Sequence, residues 1–282
     1  MRETANGTGS YTITRAIILA RGLGKRMREQ AQGGAAVDAA QAEAADRGVK
    51  AMIPIGRPFL DYVLSALADA GYTEACLVIG PEHDAIRDYY ERTAPPRRMR
   101  VSFAIQAEPR GTADALLAAE AFASVEPGYL VMNADNYYPV EELRRLRELD
   151  EPGTVLFEPE ALVRESNIPV ERIRAFALGA VTADGYLARL IEKPDDADVK
   201  AMGADALVSM NFWRLTSAFL DNCRRVQPSP RGELELPNAV RDAVAEGMKI
   251  RVLRGTTGVL DLSRRDDIAS VAERLRDVVA EP

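Results

Sequence analysis

The strongest constraint in this sequence is a rhythm. Short apolar runs, each the length of one buried strand, alternate with stretches whose apolar residues return every three or four positions. The first run, Ala16-Ile17-Ile18-Leu19-Ala20, empties into a turn at Gly22 and Gly24. From Pro58 onward, Phe59, Tyr62, Val63, Ala66, Leu67 and Ala70 share one helical face, and Gly71 stands where that helix would stop. Further strands are predicted over residues 76–80, 101–106 and 129–132, with helices over 81–92 and 112–123. Strands separated by helices require right-handed crossovers, and those crossovers make neighbouring strands parallel.

The second half has a different texture. Residues 176–181 and 186–191 flank Ala183-Asp184-Gly185, and Asp-Gly suits the tight turn of a β-hairpin. A strand over 207–212, helices over 215–225 and 233–246, a strand over 250–253 and a closing helix over 265–279 complete the prediction. The expected fold is α/β: a Rossmann-like mixed, mostly parallel sheet flanked by helices, with a small hairpin part. No linker divides the chain, so residues 15–282 are expected to form one domain behind a flexible polar start, 1–14. Residues 31–46 are rich in Ala, Gln, Asp and Glu, which predicts an exposed helix or a lid over the glycine turn.

Charge narrows the function. The formal net charge is -7, whereas nucleic acids and anionic membranes demand a basic surface. Neither is an expected partner. His83 is the sole histidine, which excludes multi-His metal clusters; lacking partners nearby, it is read as structural or exposed, and Trp213 as core. Two cysteines, Cys76 and Cys223, are too few for a disulfide framework and fit a reducing cytoplasm. The N-terminal residues have no apolar stretch long enough for a signal or membrane segment.

Gly22-Leu23-Gly24-Lys25-Arg26-Met27 follows a strand, and bare backbone N–H groups beside two cations make a cradle for phosphates. It is neither a dinucleotide fingerprint, which wants glycine where Met27 stands, nor a P-loop, which wants Ser or Thr where Arg26 stands.

Taken with Lys50-Ala51-Met52-Ile53-Pro54 and Pro58-Phe59-Leu60-Asp61-Tyr62, this opening resembles the sugar-1-phosphate nucleotidyltransferases, the NDP-sugar pyrophosphorylases. Further blocks follow in the family's order: Gln106 to Leu116, Leu130 to Asp135, Glu192-Lys193-Pro194, Arg231 to Leu236 and Gly258 to Asp261. Together they cover the chain from about residue 15 to its end.

The resemblance implies that a sugar 1-phosphate oxygen attacks the α-phosphorus of an NTP, releasing pyrophosphate. Such chemistry relies on positioned phosphates, cations and a divalent metal more than on a general base, so scarce histidine is no obstacle. By resemblance, Leu19, Ala20, Gly22, Gly24, Lys25, Gly111 and Thr112 line the nucleotide. Arg26 grips the triphosphate, Lys50 neutralises charge at the reacting centre, and Lys193 contacts the sugar phosphate. Gln106 matches members whose glutamine reads a pyrimidine edge, which favours UTP or dTTP. Glu192 and Asn211 fall in the sugar pocket, and Asp135 and Asp261 match the two carboxylates that hold Mg2+.

The implied partners are an NTP and a sugar 1-phosphate, with a homo-oligomer as a further option. Two alternatives stand beside this reading. One is a GTP-dependent mannose- or heptose-1-phosphate guanylyltransferase, for which Glu108 is the nearest acidic residue. The other is a catalytically silent homologue that binds a nucleotide or NDP-sugar and regulates a partner. Two departures from the family pattern motivate the second: Arg21 where Ala or Gly is usual, and Lys25 for Thr. Val49 in place of Pro bears on how the triphosphate is bound, and Asn211 and Trp213 in place of Gly and Tyr point to an atypical sugar pocket.

Overall fold

A computed structural model describes residues 12–22, 24–29, 37–203 and 205–282. Most of the expected flexible start, Leu23 of the glycine turn and residues 31–36 of the alanine-rich segment lie outside the described residues.

The apolar runs become strands of one nine-stranded sheet: β1 Arg15–Leu19, β2 Glu74–Ile79, β3 Arg100–Ile105, β4 Tyr129–Asn133, β5 Gly153–Phe157, β6 Ala177–Val181, β7 Leu187–Ile191, β8 Leu207–Leu215 and β9 Arg251–Gly255. The spatial order is β7-β6-β8-β4-β1-β2-β3, with β5 also on β8 and β9 on β5. Around β1 the sheet is parallel, as the helix-spaced strands require: β1 pairs with β2 and β4, and β2 with β3. β8 runs antiparallel to β4, β5 and β6, and so joins the parallel half to the predicted hairpin, β6–β7.

Successive residues of a strand face opposite sides, so a parallel sheet needs cover on both. Ile18, Leu77 and Met132 bury one way, against Phe59, Val63 and Leu67 of helix Phe59–Asp69 and Ile268 and Val271 of helix Asp267–Leu275. Ile17, Val78 and Val131 bury the other way, against Leu116 of helix Thr112–Ala118, Cys223, and Ala239 and Val240 of helix Leu236–Ala245.

Several sequence expectations shift in detail. β5 and helix Val140–Glu148 are additions between predicted elements. The expected helix over 215–225 begins later, with a 3-10 turn at Ser217–Phe219 and helix Leu220–Arg225, because β8 continues to Leu215 against β4 and β5. The alanine-rich segment forms helix Ala39–Arg47, opened by a reciprocal cap between Asp38 and Gln41 and closed at Gly48. No helix among the described residues is long and apolar enough to cross a membrane.

Candidate active site

The carboxyl ends of β1, β3 and β4 open onto one crevice, where ligands of such sheets bind. Its larger cavity, about 370 Å³, is lined by Leu19, Ala20, Gly22, Gly24, Lys25, Arg26, Lys50, Gln106, Gly111, Thr112 and Asp135, among others. The parallel half therefore gathers every residue expected at the nucleotide, together with two of the three expected catalytic cations. A second cavity of about 220 Å³ contains Glu192, Asn211 and Asp261. The two share Thr112, Asn133, Asp135 and Glu233.

Glycine is required at two points of the larger cavity. Gly24, at φ 61°, lies so close to Gly48 that a Cβ would stand 2.1 Å from the Gly48 carbonyl oxygen. The glycine turn is thus pressed against the end of helix Ala39–Arg47, two residues before Lys50. Gly111, at φ 121°, would place a Cβ 2.4 Å from the Leu234 oxygen. That close approach lets the two segments zip together. Leu234 N–H donates to Arg110 O at 2.7 Å, Ala113 N–H to Leu234 O at 2.8 Å, and Leu236 N–H to Thr112 Oγ1 at 2.8 Å. The turn at Gly111 is thereby tied to the segment carrying Arg231, Glu233 and Glu235.

At the junction of the cavities, Lys50 Nζ lies 2.8 Å from Asp135 Oδ2. Asp261 belongs to a two-residue strand, Leu260–Asp261, paired with Asn136–Tyr137, and Leu262 N–H donates to Asp135 O at 2.8 Å. The fold therefore brings the two expected metal carboxylates side by side. Burial first, and the Asp135 charge second, push the Asp261 carboxyl up to about 6. Arg172 opposes that rise: it pairs with Asp261 and, at 2.6 Å, with Asp267. Ser263 Oγ donates to Asp261 Oδ1 at 2.6 Å, and Asn167 brackets the Asp261 backbone through both its amide groups.

Asn211 sits at φ 59°, a left-handed conformation that Asn tolerates better than most residues, between the two registers of β8. Its Nδ2 donates to Asn133 Oδ1 at 3.1 Å, and its Oδ1 accepts from Trp213 Nε1 at 2.9 Å. Trp213 is fully buried, as expected. Beside Asn211, burial and then the charge of Glu235 raise the Glu192 carboxyl, opposed by Arg231 and Lys193.

Lys193 is the exception among the expected residues. It is exposed, has φ 50° and lines neither cavity, standing next to Glu192 at the rim. Glu108, the acidic residue considered for guanine, is also exposed and outside both cavities. His83 is buried; its Nδ1 accepts from Gly80 N–H at 3.2 Å, and burial lowers its pKa.

Several lining residues were not singled out from sequence. Arg231 and Glu235 fall inside a recognised block, yet nothing local marks them as facing the sugar-side cavity. Arg21 stood out only as a departure. Its side chain is 7% exposed and faces the Glu82 carboxylate at 3.4 Å, while Nη1 donates to the main-chain oxygen of Gln106. A bulky cation is tolerated in the turn because it braces the cavity wall. Arg172 gave no sequence signal.

A crevice at the strand ends of a parallel half-sheet, lined by a glycine turn, cations and two neighbouring carboxylates, is the arrangement of a nucleotide-binding class of protein. The family model described as "Nucleotidyl transferase" matches residues 45–274, and the chain belongs to this family, as a sugar-1-phosphate nucleotidyltransferase homologue. It is 26% identical over 266 residues to a UTP–glucose-1-phosphate uridylyltransferase, AglF, of Haloferax volcanii, covering 93% of this chain and 96% of that protein. It is 25% identical over 246 residues to a glucose-1-phosphate thymidylyltransferase of Streptomyces griseus, covering 84% of this chain and 59% of the relative. The match to the bifunctional protein GlmU of Methanococcus vannielii spans 42% of that protein. Among solved structures, a UDP-glucose pyrophosphorylase complexed with UDP-glucose superposes with a TM-score of 0.72 at 17% identity, over 94% of this chain and 98% of that one. An inositol-1-phosphate CTP transferase from T. maritima gives a TM-score of 0.68 at 15% identity, over 95% and 98%. At these identities the superpositions establish the shared fold.

Proposed function

We propose that the protein joins a nucleoside triphosphate, UTP or dTTP, to a sugar 1-phosphate with release of pyrophosphate. The observation that carries this reading is the junction of the two cavities, where Lys50 and Asp135 meet. A triphosphate in the larger cavity and a sugar phosphate in the smaller one come together there. The relatives that act on UTP and on glucose 1-phosphate support the same substrates.

The residues divide the work by chemistry. Backbone N–H groups at Gly22 and Gly24, with Lys25 and Arg26, bind the β- and γ-phosphates. Lys50 places a compact positive charge where negative charge grows in the transition state. Asn211 and Glu192 orient sugar hydroxyls, and Arg231 with rim-placed Lys193 offsets the sugar-phosphate charge. A phosphate oxygen is ionised at neutral pH and needs no general base, so alignment supplies most of the catalysis.

Asp135 and Asp261 fit a hard divalent cation such as Mg2+, because burial, and then the neighbouring Asp135 charge, have already made ionisation of Asp261 costly. Among the described residues, no cluster of three or more acidic, His or Cys side chains is placed to hold a metal. Substrate oxygens and water would complete the shell, and the bound ion would act as a Lewis acid toward the phosphate. Pyrophosphate release from each NTP paired with a panel of sugar 1-phosphates tests the proposal. Turnover with UTP or dTTP is expected, and no turnover with any pair contradicts it.

A further inference from the structure

Resting on the proposed nucleotide site, we infer that Asp114 is a specificity-positioning residue: it fixes the Gln106 amide with its oxygen toward the base, and so selects bases that carry a ring N–H. Gln106 is 4% exposed in the wall of the larger cavity. Its Nε2 donates to Gly111 O at 3.0 Å and to Asp114 Oδ2 at 2.8 Å. Both partners are acceptors. Turning the amide over would set its oxygen against a carboxylate and a carbonyl, so the orientation follows from chemistry.

Both amide hydrogens are consumed in this way, and Oε1 is the polar atom that Gln106 has left for a ligand. Asp114 is itself 7% exposed, and its other oxygen is taken by Arg110 Nη2 at 2.6 Å. Arg110 thus fixes the carboxylate plane and leaves Oδ2 for Gln106. Arg21 restrains the same residue through its main-chain oxygen.

A lone acceptor in the wall accepts a hydrogen from the base. Uracil, thymine and guanine carry one on the ring nitrogen beside a carbonyl. Cytosine and adenine present a lone pair at the corresponding nitrogen, which sets acceptor against acceptor and leaves both unsatisfied. Asn at position 114 would keep the size but offer amide hydrogens, releasing Gln106 to turn its own amide outward.

Equilibrium binding to the full chain by calorimetry, with UTP, dTTP, GTP, CTP and ATP, tests this directly. The N-methylated counterpart of the preferred nucleotide, 3-methyl-UTP or 1-methyl-GTP, is the chemical probe. The wild type is expected to bind at least one of UTP, dTTP and GTP roughly ten- to a hundredfold more tightly than CTP, ATP or the methylated probe. In Asp114→Asn that preference should shrink to about threefold or less, because the amide is no longer held one way. Gln106→Ala should lose it as well, and serves if Asp114→Asn does not fold. An intact preference in a folded Asp114→Asn or Gln106→Ala protein overturns the inference, as does wild-type affinity for CTP or the methylated probe equal to that for the preferred nucleotide. If nucleotides bind and turn over but the preference does not move, this inference alone falls; if no nucleotide binds, the proposed function falls with it.

Discussion

Asp135 and Asp261, from opposite halves of the chain, are held side by side by the antiparallel pairing of Leu260–Asp261 with Asn136–Tyr137 and by a main-chain hydrogen bond from Leu262 N–H to Asp135 O at 2.8 Å. The second carboxylate is buried next to the first, so its carboxyl rises from the ordinary 3.8 to about 6. A dication needs both groups ionised, and below about pH 6 its binding must expel the Asp261 proton. Divalent-ion affinity should therefore fall as pH drops through 6. Calorimetric titration with Mn2+ in buffers of different ionisation enthalpy should detect proton release at pH 5.5 and almost none at pH 7.5.

The same coupling sets the sign of a stability effect. Between pH 3.8 and about 6 the folded protein holds a proton on Asp261 that the unfolded chain has lost. This group's contribution to stability is thus largest at low pH and declines as pH rises through that window. Asp135→Asn removes the repelling charge and should move the decline to lower pH, as read from denaturant unfolding with metal chelated.

Arg172 bridges Asp261 and Asp267, whose side chains are 3% and 7% exposed. Removing the one cation from a buried pair leaves both carboxylates uncompensated. Arg172→Ala should cost roughly 3–5 kcal/mol in urea unfolding, and a change within about 0.5 kcal/mol would mean that solvent already screens the pair.

Lys50 is a different case, because its partner Asp135 has a side chain 24% exposed. Lys50→Ala should leave the melting temperature nearly unchanged while lowering kcat by roughly 10²–10³-fold. Lys50→Arg should restore only part, since a planar fork does not replace a compact ammonium.

The contact between Gly24 and Gly48 predicts a coupled loss. In Gly24→Ala the new methyl would meet the Gly48 backbone at 2.1 Å in a left-handed conformation. The turn must move, at a cost of about 2 kcal/mol or more. Thermal unfolding should show the loss of stability, and nucleotide titration a weakened affinity, because the turn and the segment leading to Lys50 shift together.

The parallel half of the sheet was legible because β1, β2 and β4 are near-continuous apolar runs, edge strand β3 keeps Val101, Phe103 and Ile105 in alternation, and the intervening helices carry their own periodicity. Strand β5 was not: five residues between Pro152 and Glu158 give no alternation, and its strand character comes from β8 and β9 on either side. Site residues followed the same division. Gly24, Lys50, Gln106 and Asp135 sit in local patterns, and all four line the larger cavity. Arg172 and Asp114 act through partners that only the fold brings near, or through a choice of amide orientation that no spacing encodes. Lys193 was legible as part of Glu192-Lys193-Pro194, but its positive φ carries it to the rim.

In the proposed reaction, Asp135, at the junction of the two cavities, serves a metal-dependent nucleotidyl transfer. Pyrophosphate release from UTP and from dTTP with glucose 1-phosphate and magnesium, in wild type and in Asp135→Asn, tests it most directly. Turnover in the wild type that chelation abolishes is expected, with a loss of at least about a hundredfold in a folded Asp135→Asn. Wild-type rates in the Asn variant, or a wild type inert toward every NTP and sugar 1-phosphate pair, would contradict it.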